Sequence, residues 1–262
     1  MSNCGIWNWR RWENEGAAVR AMVLAAGLGT RLRPLTERRP KALVEVGGRT
    51  LLEITLIRLR DFGIREVMVN AHHFADMIVE FLKTKNNFGM EIKISQEDVL
   101  LDTGGGLKKA SWFFTDKEKP FLLHNVDVIS TIDFGRMVKA HSESGALATL
   151  AVQERETSRY LLFDDTGNLS GRRIVREQKD ELVRQVAGVK AEAFTGIHVI
   201  SPRMLSMIKQ EGVFSIIDVY LRLAGEGERI RAFHADQYYW RDLGKLEQVK
   251  QAQEDFRSGL FS

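Results

Sequence analysis

Leu24-Ala25-Ala26-Gly27-Leu28-Gly29-Thr30-Arg31-Leu32-Arg33-Pro34-Leu35-Thr36, with Pro40-Lys41 close behind, is the stretch whose reading decides the fold. An apolar run of strand length, 21–26, leads into it, and glycines at 27 and 29 make the turn that follows. Glycine lets main-chain N–H groups approach phosphate oxygens closely. Arg31 and Lys41, ten residues apart, add positive charge. The stretch reads as a backbone cradle for a polyphosphate.

Two familiar phosphate turns do not fit it. Gly27-Leu28-Gly29-Thr30-Arg31-Leu32 begins like a dinucleotide fingerprint, but Leu32 occupies the third glycine position. The next strand ends in Asn70-Ala71-His72, with no acidic residue for a ribose. No Gly-x-x-x-x-Gly-Lys-Ser/Thr run occurs; Gly104 to Ser111 comes nearest, with its lysines misplaced.

Outward from the cradle, apolar runs at 21–26, 66–71, 92–95, 120–123 and 147–152 alternate with amphipathic stretches. Thr50 and Glu53 form a capping box for a helix that Gly63 ends, and 74–83, 105–113 and 133–141 repeat the scheme. Strands alternating with helices predict an α/β chain with a mixed, mostly parallel central sheet, whose ligands bind beyond the carboxyl ends of the strands. Between 153 and 192 the charge density rises, and a strand, turn and strand there read as an excursion from the sheet. Regular pattern returns with a strand at 194–200, helices at 202–209 and 215–224, strands at 230–234 and 238–240, and a helix at 245–256. Residues 1–19, with Trp7, Trp9 and Trp12 among polar neighbours, read as a poorly ordered extension or as a tail that docks on a partner. Residues 20–262 read as a single domain.

With 262 residues, 44% of them hydrophobic, the chain can bury a sizeable core. The 38 basic and 35 acidic residues leave a net charge of +3, which gives no footing for a nucleic-acid partner. Cys4 is the only cysteine, and no apolar run reaches signal-peptide or membrane-span length, so the expectation is a cytoplasmic protein with no membrane partner. A homo-oligomer is compatible with all of this. His72-His73 lack partners at zinc-ligand spacing, Lys108-Lys109 read as a solvated helical face, and Met204, Leu205 and Ile208 read as core.

At this point the residues resemble the sugar-1-phosphate nucleotidyltransferases, the nucleoside-diphosphate-sugar pyrophosphorylases. Leu24 to Thr36 with Pro40-Lys41 is similar to that family's signature, and Asp102-Thr103-Gly104-Gly105-Gly106, Asn125-Val126-Asp127, Phe194-Thr195-Gly196-Ile197 and Trp240-Arg241-Asp242-Leu243-Gly244 match further along. Among subfamilies the chain looks closest to N-acetylmuramate 1-phosphate uridylyltransferases and mannose-1-phosphate guanylyltransferases, and the Thr-Gly-Gly-Gly run leans toward the former.

The resemblance implies a three-layer Rossmann-like nucleotidyltransferase fold, with a nucleoside triphosphate and a sugar 1-phosphate as substrates and Mg²⁺ as cofactor. Arg31 then grips the triphosphate and Lys41 bridges the α-phosphate and the sugar phosphate, a task of positioning and electrostatic stabilisation. An aspartate after a strand is ordinarily a turn former or a helix cap; the resemblance makes Asp127 and Asp242 metal ligands, with Asp127 also catalytic. The base is expected between the main chain of Leu24, Ala25, Ala26, Gly27, Gly29 and Thr30 and that of Thr103, Gly104 and Gly105. Gln96 either reads a base edge or is a solvated loop amide. Asn125, Thr195 and Gly196 correspond to sugar-contacting positions, Thr195 and Gly196 fitting a core strand equally well.

Three departures bear on specificity. Val126 stands where the family often has glycine, and Arg176-Glu177-Gln178-Lys179 lacks the proline of a frequent Glu-Lys-Pro element. No room is expected after the last helix for an appended β-helix domain. Two other readings stay in play, a catalytically silent subunit that binds nucleotide sugar, and cytidylyl transfer to a non-sugar phosphate such as phosphocholine.

Overall fold

The computed structural model describes residues 19–114, 116 and 118–260. The extension expected over 1–19 lies outside them, apart from Val19. In chain order the strands are β1 (Arg20–Leu24), β2 (Glu45–Val46), β3 (Arg49–Thr50), β4 (Glu66–Ala71), β5 (Glu91–Gln96), β6 (Phe121–Asn125), β7 (Val128–Ser130), β8 (Ala148–Gln153), β9 (Arg159–Phe163), β10 (Leu169–Ile174), β11 (Lys179–Leu182), β12 (Lys190–Ile200), β13 (Ile230–His234) and β14 (Trp240–Asp242). The helices are α1 (Leu51–Asp61), α2 (Ala75–Thr84), α3 (Asp102–Lys109), α4 (Phe134–Ser144), α5 (Ile216–Gly225) and α6 (Leu246–Arg257).

β1 lies at the heart of a ten-stranded sheet, parallel to β4 on one side and to β6 on the other, and β4 carries β5 in parallel beyond it. Across β6 the sheet turns antiparallel through β12, which also carries β8; β13 runs parallel to β8. Burial alternates along the parallel strands as a two-faced sheet requires. Ala21, Val23, Val67, Val69 and Leu122 pack on one side with α1, α2, α4 and α6. Met22, Met68, Phe121 and Leu123 pack on the other with α3 and α5. The result is the expected three-layer α/β architecture.

The helix starts are locally encoded. Thr50 accepts the Glu53 N–H at 3.1 Å, Asp133 accepts that of Arg136 at 3.0 Å, and Ser215 accepts that of Ile217 at 3.2 Å. Arg58, on α1, ties the layer to β7 by donating to the Ser130 hydroxyl and the Ile132 carbonyl, each at 2.9 Å. Burial lowers its pKa to about 10, so it stays charged at neutral pH.

Four elements differ from the sequence reading. The region 153–192 extends the sheet: β9 pairs with the first residues of β12, β10 with β9, and β11 with β10. The helix expected from 105 begins at Asp102, because its glycines are packing positions. Residues 202–207 form a 3-10 turn behind Pro202. The strand expected at 238–240 is displaced to Trp240–Asp242 by antiparallel pairing with β7.

Three histidines sit neutral in the interior. His124 meets the Asn125 carbonyl at 2.8 Å, His141 the Thr149 hydroxyl at 3.0 Å, and His198 the Tyr220 hydroxyl at 2.8 Å. Burial lowers their pKa values from 6.5 to about 4, 4 and 3, with the Arg58 charge adding to the shift at His124. A depressed folded-state value means that stability is complete above the unfolded value and declines as pH falls from about 6.5 toward 4, because the unfolded chain takes up protons that the buried rings refuse. Each engaged ring steepens that decline by up to about 1.4 kcal/mol per pH unit. Urea midpoints are expected to fall steadily between about pH 7 and pH 5, above the carboxylate range; a flat profile there contradicts the assignment.

Candidate active site

The site lies where β1, β4 and β6 end, at the carboxyl edge of the parallel strands. After Leu24 the chain turns away, and the Ala25 N–H donates to Asn70 Oδ1 at 2.7 Å. Gly29 adopts φ +64°, and a Cβ there would come within 2.9 Å of Thr36 and 3.0 Å of Lys41. The glycine is needed for handedness and for closeness alike. Thr36 seals the turn by donating its hydroxyl to the Gly29 carbonyl at 2.8 Å. The cradle is thereby folded back on Lys41, which opens a 3-10 turn after Pro40.

Lys41 reaches across to Asp127, with which it forms an ion pair; only about a tenth of the lysine side chain is exposed. Asp127 sits between β6 and β7, and the β7–β14 ribbon delivers Asp242 to the same place although it lies 115 residues later in the chain. Asp242 is opposite Val128, and the Leu243 N–H donates to the Asp127 carbonyl at 2.8 Å. Burial and then the Asp127 charge hold the Asp242 carboxyl above its ordinary range, against the Gly244 N–H at 2.7 Å and the charges of Lys41 and Arg31. Arg31 lies against Gly244, where a Cβ would stand 2.8 Å from its Nη2. Both cations and both carboxylates named from the sequence therefore share one site.

Two cavities meet there. The smaller, about 350 Å³, is walled by Leu24, Ala26, Gly27, Lys41, Thr103 and Val213. The larger, about 570 Å³, is walled by Arg155, Tyr160, Thr195, Gly196, Trp240 and Asp242. Asn125 and Asp127 line both. The seam between the cavities is the end of one strand, β6.

The remaining sequence-named residues are distributed unevenly. Thr30 is exposed at the start of its turn, and Ala25 is buried with its N–H committed to Asn70. Gly104 and Gly105 lie inside α3, and both donate their N–H groups to the Phe214 carbonyl, at 3.0 and 3.3 Å. Their missing side chains make room for Phe214 and Gly212, since a Cβ on either glycine would meet those residues within 2.5 Å. Gln96 ends β5 exposed and lines neither cavity. Thr195 is buried and donates its hydroxyl to the Ala151 carbonyl at 2.9 Å. Gly196 has φ +82° and faces Asn125, whose Nδ2 would be 2.7 Å from an added Cβ.

Sequence reading missed the neighbour of Gln96. Glu97 is 2% exposed; its Oε1 accepts from Asn70 Nδ2 at 2.7 Å and its Oε2 from the Leu101 N–H at 2.9 Å. With the Asn70 bond to Ala25, this network ties the cradle, β4, β5 and the start of α3 together. An acid placed after a strand and before a glycine run was the available signal. The wall residues Arg155 and Tyr160 were missed too, because the segment that carries them shows no sustained period.

Residues 20–259 match the family described as Nucleotidyl transferase. The chain belongs to that family. It is 36% identical over 214 residues to an N-acetylmuramate alpha-1-phosphate uridylyltransferase of Caulobacter vibrioides, covering 79% of this chain and 85% of that one. It is 29% identical over 244 residues to the mannose-1-phosphate guanylyltransferase catalytic subunit beta of Danio rerio, covering 92% of this chain and 64% of that protein's length. A putative glucose-1-phosphate thymidylyltransferase from Bacillus anthracis superposes with a TM-score of 0.76 at 19% identity, over 94% of this chain and 98% of that one, which bears on the fold alone. The relatives are transferases of nucleotides to sugar 1-phosphates, as the sequence resemblance led us to expect.

One support of the site stands outside it. Arg241, next to Asp242, bonds Asp255 of α6 through Nε and Nη2, both at 2.8 Å, and Tyr239 donates its hydroxyl to the same carboxylate at 2.6 Å. Burial and that bond raise the tyrosine pKa to about 12. Asp255→Ala leaves Arg241 without its carboxylate and is expected to cost about 2 kcal/mol. Differential scanning calorimetry should read this as a Tm lowered by about 4–8 °C; a Tm unchanged within about 1 °C contradicts the role.

Proposed function

We propose that the protein transfers a nucleoside monophosphate from a nucleoside triphosphate to a sugar 1-phosphate, releasing pyrophosphate and forming a nucleoside diphosphate sugar. The observation that carries this reading is the Lys41–Asp127 pair on the seam between two cavities. Two-substrate transfer requires two adjoining chambers that share the reacting centre. The smaller cavity suits the nucleotide and the larger one the sugar.

An oxygen of the sugar phosphate attacks the α-phosphorus, and the bond from that phosphorus to the bridging oxygen of pyrophosphate breaks. Catalysis is then a matter of holding two polyanions together and meeting the charge that builds on the leaving group. Lys41, at the floor of the nucleotide cavity, draws the two phosphates into range. Arg31, exposed on the cradle, is placed to bind the outer phosphates as a planar donor.

Asp127 and Asp242 offer hard carboxylate oxygens and no third protein ligand. Among the described residues no cluster of three or more metal-ligating side chains occurs. That set suits Mg²⁺, which takes one or two carboxylates and completes its shell with substrate phosphate and water. Bound there, the ion supplies Lewis-acid charge to phosphate oxygens.

Presence of both cations and both carboxylates in one site speaks against a silent binding subunit. The relative of 36% identity supports uridylyl transfer, with N-acetylmuramate 1-phosphate among the acceptors to test. Residues 20–262 are read as one catalytic domain. The single cysteine favours a cytoplasmic setting, and no helix of the described residues is long and apolar enough to cross a membrane.

Pyrophosphate release measured over a grid of nucleoside triphosphates and sugar 1-phosphates with Mg²⁺ should reveal one preferred pair. Asp127→Asn should lower kcat on that pair by at least about 100-fold with the thermal transition retained. Absence of release from every pair, or a variant that keeps most of its activity, sinks the reading.

A further inference from the structure

Four arginines and four carboxylates, Asp127, Glu177, Asp218 and Asp242, line the larger cavity, and the arginines differ in how they are answered. Of the four arginines on its wall, two are neutralised at home. Arg172 bonds Glu181 at 2.7 Å and Asp218 at 2.8 Å, and Arg173 bonds Asp180 at 2.6 and 2.8 Å. Arg155 and Arg159 line the same cavity with no carboxylate in ion-pair contact among the described residues, Asp242 acting on Arg155 only from a longer distance.

Arg155 is also held in a form ready for a planar anion. Its guanidinium lies over the Trp240 ring, 3.9 Å from the centroid, and Trp240 is fixed in turn by donating Nε1–H to the Thr195 carbonyl at 2.8 Å. A stacked guanidinium keeps its donor fork in one orientation, so little freedom is lost when a carboxylate binds. Hydrogen-bonding capacity is left over. Nη2 donates to the Phe194 carbonyl at 2.8 Å, Nη1 reaches the Glu156 carbonyl only at 3.5 Å, and Nε is buried without an acceptor among the described residues. The capacity that faces the cavity is therefore at the Nη groups, and burial presses against the Arg155 charge while Asp242 supports it. Lys41 and Arg31 cannot be the reason for these two cations, because their task lies across the seam with the phosphates.

The geometry points to an acceptor sugar 1-phosphate that carries a second anion, a carboxylate on a side arm, which Arg155 binds through its stacked fork and Arg159 attracts from the exposed wall. This rests on the transferase reading above and adds the feature that selects the sugar. Arg155 and Arg159 are then specificity residues, and the nucleotide cavity is indifferent to them.

The test compares N-acetylmuramate 1-phosphate with N-acetylglucosamine 1-phosphate, which lacks only the lactyl acid arm, using the nucleoside triphosphate that supports the fastest release. The wild-type protein should favour the acid by at least about tenfold in kcat/KM. Arg159→Gln and Arg155→Lys should each raise KM for the acid by about tenfold, with kcat changed less than about twofold and a several-fold smaller rise in KM for the acid-free sugar. Arg155→Lys keeps the charge and loses the planar fork, so it separates the fork from bulk attraction. Equal kcat/KM for the two sugars in the wild type overturns this inference and leaves the transferase reading standing. A rise in KM for both sugars alike shows that the arginines hold the shared phosphate, and overturns it too. No release from any sugar removes the transferase reading and this inference together.

Discussion

Two carboxylates brought together in a half-buried place repel one another, and the site is built around answering that repulsion. Asp127 arrives at the end of β6, and Asp242 arrives on a ribbon from a different part of the chain. Lys41 pairs with the first, and Arg31 lies against the glycine that follows the second. The residual strain shows in the Asp242 carboxyl, which burial and its neighbour hold above the ordinary range. On the reading proposed above, the carboxylates would take a further cation and the lysine and arginine would take phosphate. The same four charges that repel and compensate one another in the free protein are those that substrates and metal would rearrange.

Such a cluster is useful only if its parts hold still, and the scaffold answers this at three places. Behind the cradle, the chain of bonds from Ala25 to Asn70 to Glu97 to Leu101 fixes the turn to both neighbouring strands and to α3. Below Asp127, Arg58 clamps β7 to α1. Beside Asp242, Arg241 and Tyr239 converge on Asp255, so α6 secures the ribbon from outside. Each support uses a buried polar group that is costly to leave unpaired, which makes its arrangement specific as well as stable.

Much of this was legible from the sequence, for reasons that can be named. The strand at 66–71 and the helix capped by Thr50 carry their signals locally, in apolar runs and capping side chains. The cradle was legible because Gly29, Thr36 and Lys41 are close in sequence and close in space. What stayed hidden depended on partners far along the chain. A run of three glycines argues against a helix on propensity, yet α3 forms because those glycines admit Phe214, Gly212 and the Asn70–Glu97 pair. Glu97 stayed hidden because the partner that holds it, Asn70, lies 27 residues away on the neighbouring strand. Asp242 could be named only by resemblance, since pairing with β7, 115 residues from Asp127 in the chain, is what brings it in.

The two cavities are unequal in how they are built, and that bears on how such a site can change its substrate. The side proposed for the nucleotide is made from neighbouring parallel strands and the cradle, tied by the Asn70–Glu97 network; a substitution there disturbs the sheet itself. The side proposed for the sugar is walled in good part by β9 and β10, a hairpin paired with β12 from Lys190 to Glu192 and seated on the core through Leu161, Phe163 and Leu169. Arg155 precedes that hairpin, Arg159 begins it, and Glu177 lies in the turn beyond it. Arg159 is exposed at the start of the hairpin, whereas Arg155 stacks on Trp240 of the ribbon that carries Asp242. On the reading proposed above, the reacting centre is anchored at the ends of the central strands, and the choice of acceptor falls to side chains at the rim of the hairpin.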